Sequence, residues 1–119
     1  MIVRGEFNPD VAFDSVRELL HKKIPFTAVF GADDDCALGA MRAITRAGKQ
    51  VPHDVAIIGF NDLPEAISAR PPLTSIRPNL RALGERTARV LLDLIDGKSI
   101  TGSIVLPVEL IRRNSCGCI

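Results

Sequence analysis

Polar side chains that could bind a small molecule follow two short apolar runs of this sequence. The first run ends at Phe30 and is followed by Asp33, Asp34 and Asp35, and the second is followed by Asn61. Carboxylate and amide oxygens accept hydrogen bonds from hydroxyls, while an aromatic ring packs on the apolar face of a ligand. The combination predicts a binding site for a sugar-like or nucleoside-like molecule.

The same residues also have plainer interpretations. Asp33, Asp34 and Asp35 could cap and begin a helix, where acidic side chains stabilise the helix dipole. Asn61 and its neighbour Asp62 could simply form a turn. Phe30 could belong to the hydrophobic core. The residues alone leave both sets of interpretations open.

Enzymatic and metal-binding functions are less well supported by the sequence. The acidic residues could hold Mg²⁺ for phosphoryl transfer, but such a site needs a lysine near a later strand, and Lys98 is the only lysine after Leu73. Cys116 and Cys118 supply only two soft ligands, and Cys36 has no histidine in its sequence neighbourhood to activate it. We therefore expect no catalysis, no metal and no cofactor.

Composition restricts the setting in which the protein works. The 119 residues carry 15 Lys and Arg against 14 Asp and Glu, a net charge of +1, so no domain-wide basic field attracts nucleic acid. The 3 cysteines are an odd number, which favours a reducing compartment. No apolar run approaches the roughly 20 residues of a membrane helix. These features predict a cytoplasmic protein with no membrane contact.

Short apolar runs alternate with segments of helical periodicity, which predicts an α/β fold with a parallel sheet and helices on both faces, in three layers. Ile2-Val3 starts a first strand, and Asn8 caps a helix that has Pro9 at its first position. The other predicted elements are a helix end near Lys23, strand 26–30, a helix from about 35 to Gly48, strand 55–60, a helical turn at 63–70, strand 73–76, a helix from Asn79 to Gly97, and one or two strands within 104–112.

Loops at the carboxyl ends of parallel strands meet at one edge of the sheet, where ligands commonly bind. Residues 31–35 and residues 61–62 are two such loops. The predicted ligand-binding residues Phe30, Asp33, Asp34 and Asn61 should therefore lie close together.

Several linked motifs resemble the lactose/galactose repressor (LacI/GalR) family of bacterial regulators. They cover nearly the whole chain in the family's order and spacing. These motifs are FTAVFGADDDCALGAMRAI at 26–44, AGKQVPHDVAIIGFND at 47–62, PLTSIRP at 72–78, LGERTA at 83–88 and LIRRNSCG at 110–117. By position, Phe30 is similar to the family's aromatic pocket residue and Asn61 to an aspartate that contacts effector hydroxyls.

The resemblance implies one lobe of a periplasmic-binding-protein-like (type I) fold, with a crossover helix and a C-terminal strand. Residues 1–119 would be the C-terminal lobe of an effector-binding domain, and residues 78–103 would cross over to a missing N-terminal lobe. The implied function is that of a transcriptional regulator that binds a small effector, forms a homodimer, and contacts operator DNA only through a domain outside this chain. The sequence ending at 115–118 also resembles sensors fused to a kinase or nucleotide cyclase, which is the alternative.

The predicted helix after Asn79 carries a wide apolar stripe that lacks its family partner in this chain. If these side chains stay exposed, each loses the roughly 1.5–3 kcal/mol of stabilisation that burial would give. We expect the helix either to fold back on its own lobe or to pack against a second copy.

Overall fold

The computed structural model describes residues 1–118 and confirms the α/β fold. Four strands form one sheet in the order β1-β2-β3-β4, and the pairs β1–β2 and β2–β3 are parallel. The elements are α1 (Pro9–His21), β1 (Ala28–Phe30), α2 (Asp34–Arg46), β2 (Ala56–Phe60), α3 (Pro64–Ser68), β3 (Thr74–Pro78), α4 (Leu80–Ile95) and β4 (Val108–Ile111).

Local sequence signals explain where α1 begins and ends. The Asn8 side chain accepts hydrogen bonds from the backbone N–H groups of Asp10 and Val11, and Pro9 occupies the first turn, as predicted. The helix ends at His21, shortly before the predicted Lys23, because Lys23 adopts a φ of +54° that a right-handed helix does not accommodate.

Two predicted strands differ substantially from those observed, and β1 begins at Ala28, two residues later than predicted. Ile2-Val3 is not a strand, and Ile2 is exposed, because a strand persists only where a neighbour pairs with its backbone and these residues have no such partner in the described chain. The strand predicted within 104–112 is confined to Val108–Ile111, directly after Pro107, which has no N–H to donate to a ladder.

The core lies between α2 and the strands that flank it. Ile44 of α2, Val55, Ile57 of β2 and Leu73 are almost completely buried. Helix α1 packs closely on α2 at Gly39, where an added Cβ would lie 2.1 Å from the carbonyl oxygen of Pro9. This packing fixes the start of α2 relative to the sheet.

The chain divides into two compact units, residues 1–77 with the segment from Leu110 onward, and residues 78–109. The second unit contains α4, which buries none of its residues. Its exposed large apolar side chains are Leu80, Leu83, Leu91, Leu92, Leu94 and Ile95. Within residues 1–118, no helix is long and apolar enough to span a bilayer.

Candidate functional site

The carboxyl ends of β1 and β2 lie side by side at one edge of the sheet. The two strands run parallel with Phe30 opposite Ile58, and Gly31 donates its backbone N–H to Ile58. Residues 31–33 leave β1 at this edge, and Asn61 leaves β2. The structure thus brings together the loops that the sequence predicted as neighbours.

Asp34 ties these loops to each other. Its Oδ1 accepts from the Ser75 hydroxyl at 2.6 Å and its Oδ2 accepts from the backbone N–H of Leu63, also at 2.6 Å. The side chain is completely buried, and this burial raises its pKa against the opposing hydrogen bonds. Because both oxygens are engaged and none of the residue is exposed, Asp34 joins the loops from within and has no surface free to contact a ligand.

Asp33 is the N-cap of α2, so the capping interpretation is confirmed for it. Its side chain accepts from the backbone N–H of Cys36 at 2.8 Å, and only 7% of the residue is exposed. Burial, together with the neighbouring Asp33 carboxylate, raises the pKa of the Cys36 thiol to about 11. Cys36 therefore stays a thiol at neutral pH, which does not suit a nucleophile.

Asn61 and Asp62 form the turn after β2, with φ values of +98° and +54°. Asn and Asp tolerate this left-handed region better than most residues, which explains their presence at a tight turn. The backbone N–H of Asn61 donates to Ile76, and the Asn61 side chain is exposed. The turn geometry therefore presents the Asn61 amide to solvent.

Asp62 points away from solvent into two ion pairs. Its Oδ1 lies 2.6 Å from Nη2 of Arg113, and its Oδ2 lies 2.7 Å from Nε of Arg77. Burial alone would raise the pKa of Asp62, but the hydrogen bonds from Arg113 and Arg77 outweigh it and lower the pKa. Its backbone N–H also donates to the Ser75 hydroxyl, so Asp62 anchors the turn that carries Asn61.

Phe30 is not a core residue. Although it belongs to β1, 63% of its surface is exposed at the same edge as Asn61. An exposed aromatic ring and an exposed amide at the same edge of a sheet have the composition expected of a ligand surface.

The sequence model of a protein family, the periplasmic binding protein-like domain, matches residues 4–116. The chain is 36% identical over 111 residues to the lactose operon repressor of Escherichia coli K12, which covers 93% of the chain and 31% of that repressor. A Lac repressor dimer bound to operator and an anti-inducer is similar with a TM-score of 0.82 at 36% identity, covering 92% of this chain and 38% of that one. The regulator CelR in complex with cellobiose is also similar, with a TM-score of 0.82 at 37% identity, and the match covers 93% of this chain and 34% of that one.

The chain belongs to the LacI/GalR family. It spans about a third of the length of curated relatives such as the Escherichia coli repressor, of which it covers 31%, and MalR of Clostridium butyricum, of which it covers 35%.

This LacI/GalR chain has a second exposed ring near α2, which the sequence did not single out as a candidate. Phe7 is 71% exposed and adopts a φ of +50°. Its loop packs on the first turn of α2, because a Cβ added at Gly5 would lie 2.7 Å from Sγ of Cys36. Its position directly before the helix N-cap gave no signal of exposure, because an apolar residue there often packs against the first turns of the helix.

We refer to Phe7, Phe30, Asp33 and Asn61 as the candidate edge. Two rings and one amide of this set are exposed, whereas Asp33 offers only a small part of its surface. Within residues 1–118, no group of three or more His, Cys, Asp or Glu side chains is placed to hold a metal ion. The candidate edge can pack against and hydrogen-bond a neutral polar molecule.

Proposed function

We propose that this chain is the effector-sensing part of a cytoplasmic transcriptional regulator, and that its effector is a sugar-like or nucleoside-like molecule. The observation that carries the proposal is the exposure of both Phe30 and Asn61 at the carboxyl ends of adjacent strands, in a chain of the LacI/GalR family. The similarity to a regulator solved with cellobiose favours a sugar. Operator DNA would be contacted only by a domain outside these residues.

The chemistry of the candidate edge suits an uncharged polyol. The Phe30 and Phe7 rings can cover the apolar face of a sugar ring, and the Asn61 amide can both accept from and donate to hydroxyls. The LacI/GalR resemblance places an aspartate where this chain has Asn61, so one charged contact is replaced by a neutral one. The same resemblance places Asn in many family members where this chain has Asp33, so one carboxylate would remain near the effector.

The proposed output is a change of conformation without a chemical reaction. An effector that binds more tightly when the two lobes of the sensor are closed shifts the population toward the closed form. Coupling between this closure and a distant DNA-binding domain then changes the affinity for operator DNA. The binding of DNA must change the affinity for the effector by the same free energy.

Calorimetric titration of the full-length regulator with a panel of mono- and disaccharides and nucleosides tests the proposal. We expect one ligand class to bind, and both Phe30→Ala and Asn61→Ala to weaken that binding about tenfold, because each removes about 1.4 kcal/mol of contact. The isolated chain supplies one side of the cleft, so we expect it to bind at millimolar concentration or not at all.

Asn114→Ala is the matched control, since Asn114 is also an exposed asparagine but follows β4 near the C-terminal tail. It should leave the affinity unchanged. Failure of every ligand class to bind the full-length protein, or equal loss of affinity in Asn61→Ala and Asn114→Ala, would contradict the proposal.

We further propose that the regulator is a homodimer, in line with the similarity to a Lac repressor dimer. In the isolated chain, the exposed stripe on one face of α4 should drive self-association; its exposed members are Leu80, Leu83, Leu91, Leu94 and Ile95. Light scattering over a concentration series is expected to show a monomer that converts to a dimer, because burying the stripe removes apolar surface from water.

The variant Leu83→Ser/Leu91→Ser should remain monomeric at concentrations where the parent chain is dimeric. Leu92→Ser is the control, because Leu92 is equally exposed but lies outside that stripe. A chain that stays monomeric at every concentration would overturn the expected role of α4 in self-association.

A further inference from the structure

The segment after β4 contains two cysteines that share one tight turn. Cys116 and Cys118 are separated only by Gly117, which has a φ of +67°. The backbone N–H of Cys118 donates to Sγ of Cys116 at 3.1 Å, so the Cys116 side chain folds back over the turn toward Cys118. The Cys118 thiol in turn donates to the carbonyl oxygen of Cys116 at 3.9 Å, so each cysteine contacts the other across the turn.

Ser115 hydrogen-bonds the start of this turn to the sheet. Its hydroxyl donates to the carbonyl oxygen of Ile57 at 2.6 Å and accepts from the backbone N–H of Thr74 at 2.8 Å. The residue is completely buried, and its own carbonyl accepts from the N–H of Ile57 at 2.7 Å. The turn that contains Cys116 and Cys118 therefore follows a residue that is hydrogen-bonded to both central strands of the sheet, β2 and β3.

The surroundings make the two thiols unequal. Burial tends to raise the pKa of Cys116, but hydrogen bonds from the Cys118 thiol, the Thr74 hydroxyl and the Cys118 backbone outweigh it and lower the pKa. The hydrogen bond to Cys116 raises the pKa of Cys118, which is exposed. Cys116 is therefore the better attacking thiolate, and Cys118 is placed to react second.

We propose that Cys116 and Cys118 form a reversible dithiol–disulfide pair that exchanges with low-molecular-weight disulfides such as oxidised glutathione. Two soft ligands fall short of the four that a structural metal site uses, and the described residues place no third ligand beside them. The adjacent, unequal thiols favour exchange chemistry over metal binding.

The reaction balances with oxidised glutathione as the oxidant. The Cys116 thiolate attacks one sulfur of the glutathione disulfide, whose S–S bond breaks, and the first glutathione leaves as a thiolate. The Cys118 thiolate then attacks Sγ of Cys116, forming the protein disulfide and releasing the second glutathione. The two protons lost by the protein thiols are taken up by the two leaving thiolates.

The product should be easy to reduce again. Disulfides span Cα atoms about 4.4–6.8 Å apart, a separation that residues two positions apart reach at a turn, but the small ring stores strain. Strained and exposed disulfides have higher reduction potentials and respond to the thiol pool. The pair is therefore expected to report redox conditions rather than to stabilise the fold.

The test is equilibration of the protein in buffers of increasing oxidised-to-reduced glutathione ratio, followed by acid quenching, alkylation in denaturant and mass spectrometry. The peptide that contains Cys116 and Cys118 should change from two alkylated thiols to none, with a mass two hydrogens below the dithiol. Cys36 is the internal control, because it is buried and its pKa is raised to about 11, so it should remain alkylatable.

Two variants separate the steps. Cys118→Ser should stop at a mixed disulfide of Cys116 with glutathione. Cys116→Ser should form its mixed disulfide more slowly, because the Thr74 hydroxyl and the backbone N–H of Cys118 favour the thiolate of Cys116. Retention of both thiols in the most oxidising buffer, or two separate mixed disulfides with no intramolecular bond, would overturn the proposal. Equal rates in the two variants would overturn the assigned order of attack.

Discussion

Replacing Gly59 with alanine is expected to destabilise the chain by about 3 kcal/mol or more, a large part of the stability of a small domain. An added Cβ would lie 2.1 Å from Oδ1 of Asp34 and 3.0 Å from a methyl group of Leu73. Asp34 cannot move aside without loss, because its two oxygens accept from Ser75 and Leu63 at 2.6 Å each. The clash therefore breaks the contacts that join the loops of the candidate edge.

Urea denaturation followed by circular dichroism measures this effect. Gly84→Ala is the control, since Gly84 lies within α4 with no atom near an added Cβ, and it should be neutral or stabilising by up to about 1 kcal/mol. The double variant Gly59→Ala/Asp34→Ala should lose less stability than the sum of its parts, because removing Asp34 removes the closest clash. A Gly59→Ala chain as stable as the parent would disprove this account of the packing.

Periodicity and local signals were sufficient to predict the α/β fold and most of its elements. The cap at Asn8 and the long apolar run of β2 depend on residues that are adjacent in sequence, so their physics is local. The predicted strand at Ile2-Val3 failed for the opposite reason, since pairing depends on a neighbouring strand that no local pattern specifies.

The site was only partly predictable for the same reason. The sequence indicated that Phe30, Asp33, Asp34 and Asn61 would share an edge, but three consecutive aspartates look alike until their environments are known. Asp34 is buried because Ser75, 41 residues away, supplies its partner. Topology predicted which loops meet, whereas long-range contacts decided which side chains face solvent.

Asp62 is a second residue whose role depends on a partner distant in sequence, and its replacement should have a large effect on stability. The local sequence indicated only that Asp62 could form a turn, yet Arg113, 51 residues later, donates to it at 2.6 Å. Only 4% of the Asp62 side chain and 13% of the Arg113 side chain are exposed. Asp62→Ala should therefore cost about 3 kcal/mol, because it leaves a mostly buried guanidinium without its carboxylate.

The control for this substitution is Asp14→Ala, which removes a carboxylate that pairs with Arg17 at 2.9 Å while both side chains remain mostly exposed. Its effect should stay within about 0.5 kcal/mol, as is usual for surface ion pairs. A double-mutant cycle of Asp62→Ala with Arg113→Ala should give a clear coupling energy. Equal stability losses in Asp62→Ala and Asp14→Ala would contradict the importance of burial.

The Asp62 ion pairs also predict a pH dependence whose sign is fixed by its pKa. Because Arg113 and Arg77 hold the folded-state pKa of Asp62 below the ordinary value of 3.8, the unfolded chain takes up this proton first as the pH falls. The contribution of Asp62 to stability is therefore complete above about pH 5 and is lost as the pH falls through its folded-state pKa.

Urea denaturation at neutral pH and near pH 3 measures this effect. The difference in unfolding free energy between the parent chain and Asp62→Asn should become smaller in acid. A difference that stays constant or grows would mean that the Asp62 carboxylate does not carry the ion pairs. Since Asp62 anchors the turn that presents Asn61, the same acid step should also weaken effector binding by the full-length regulator.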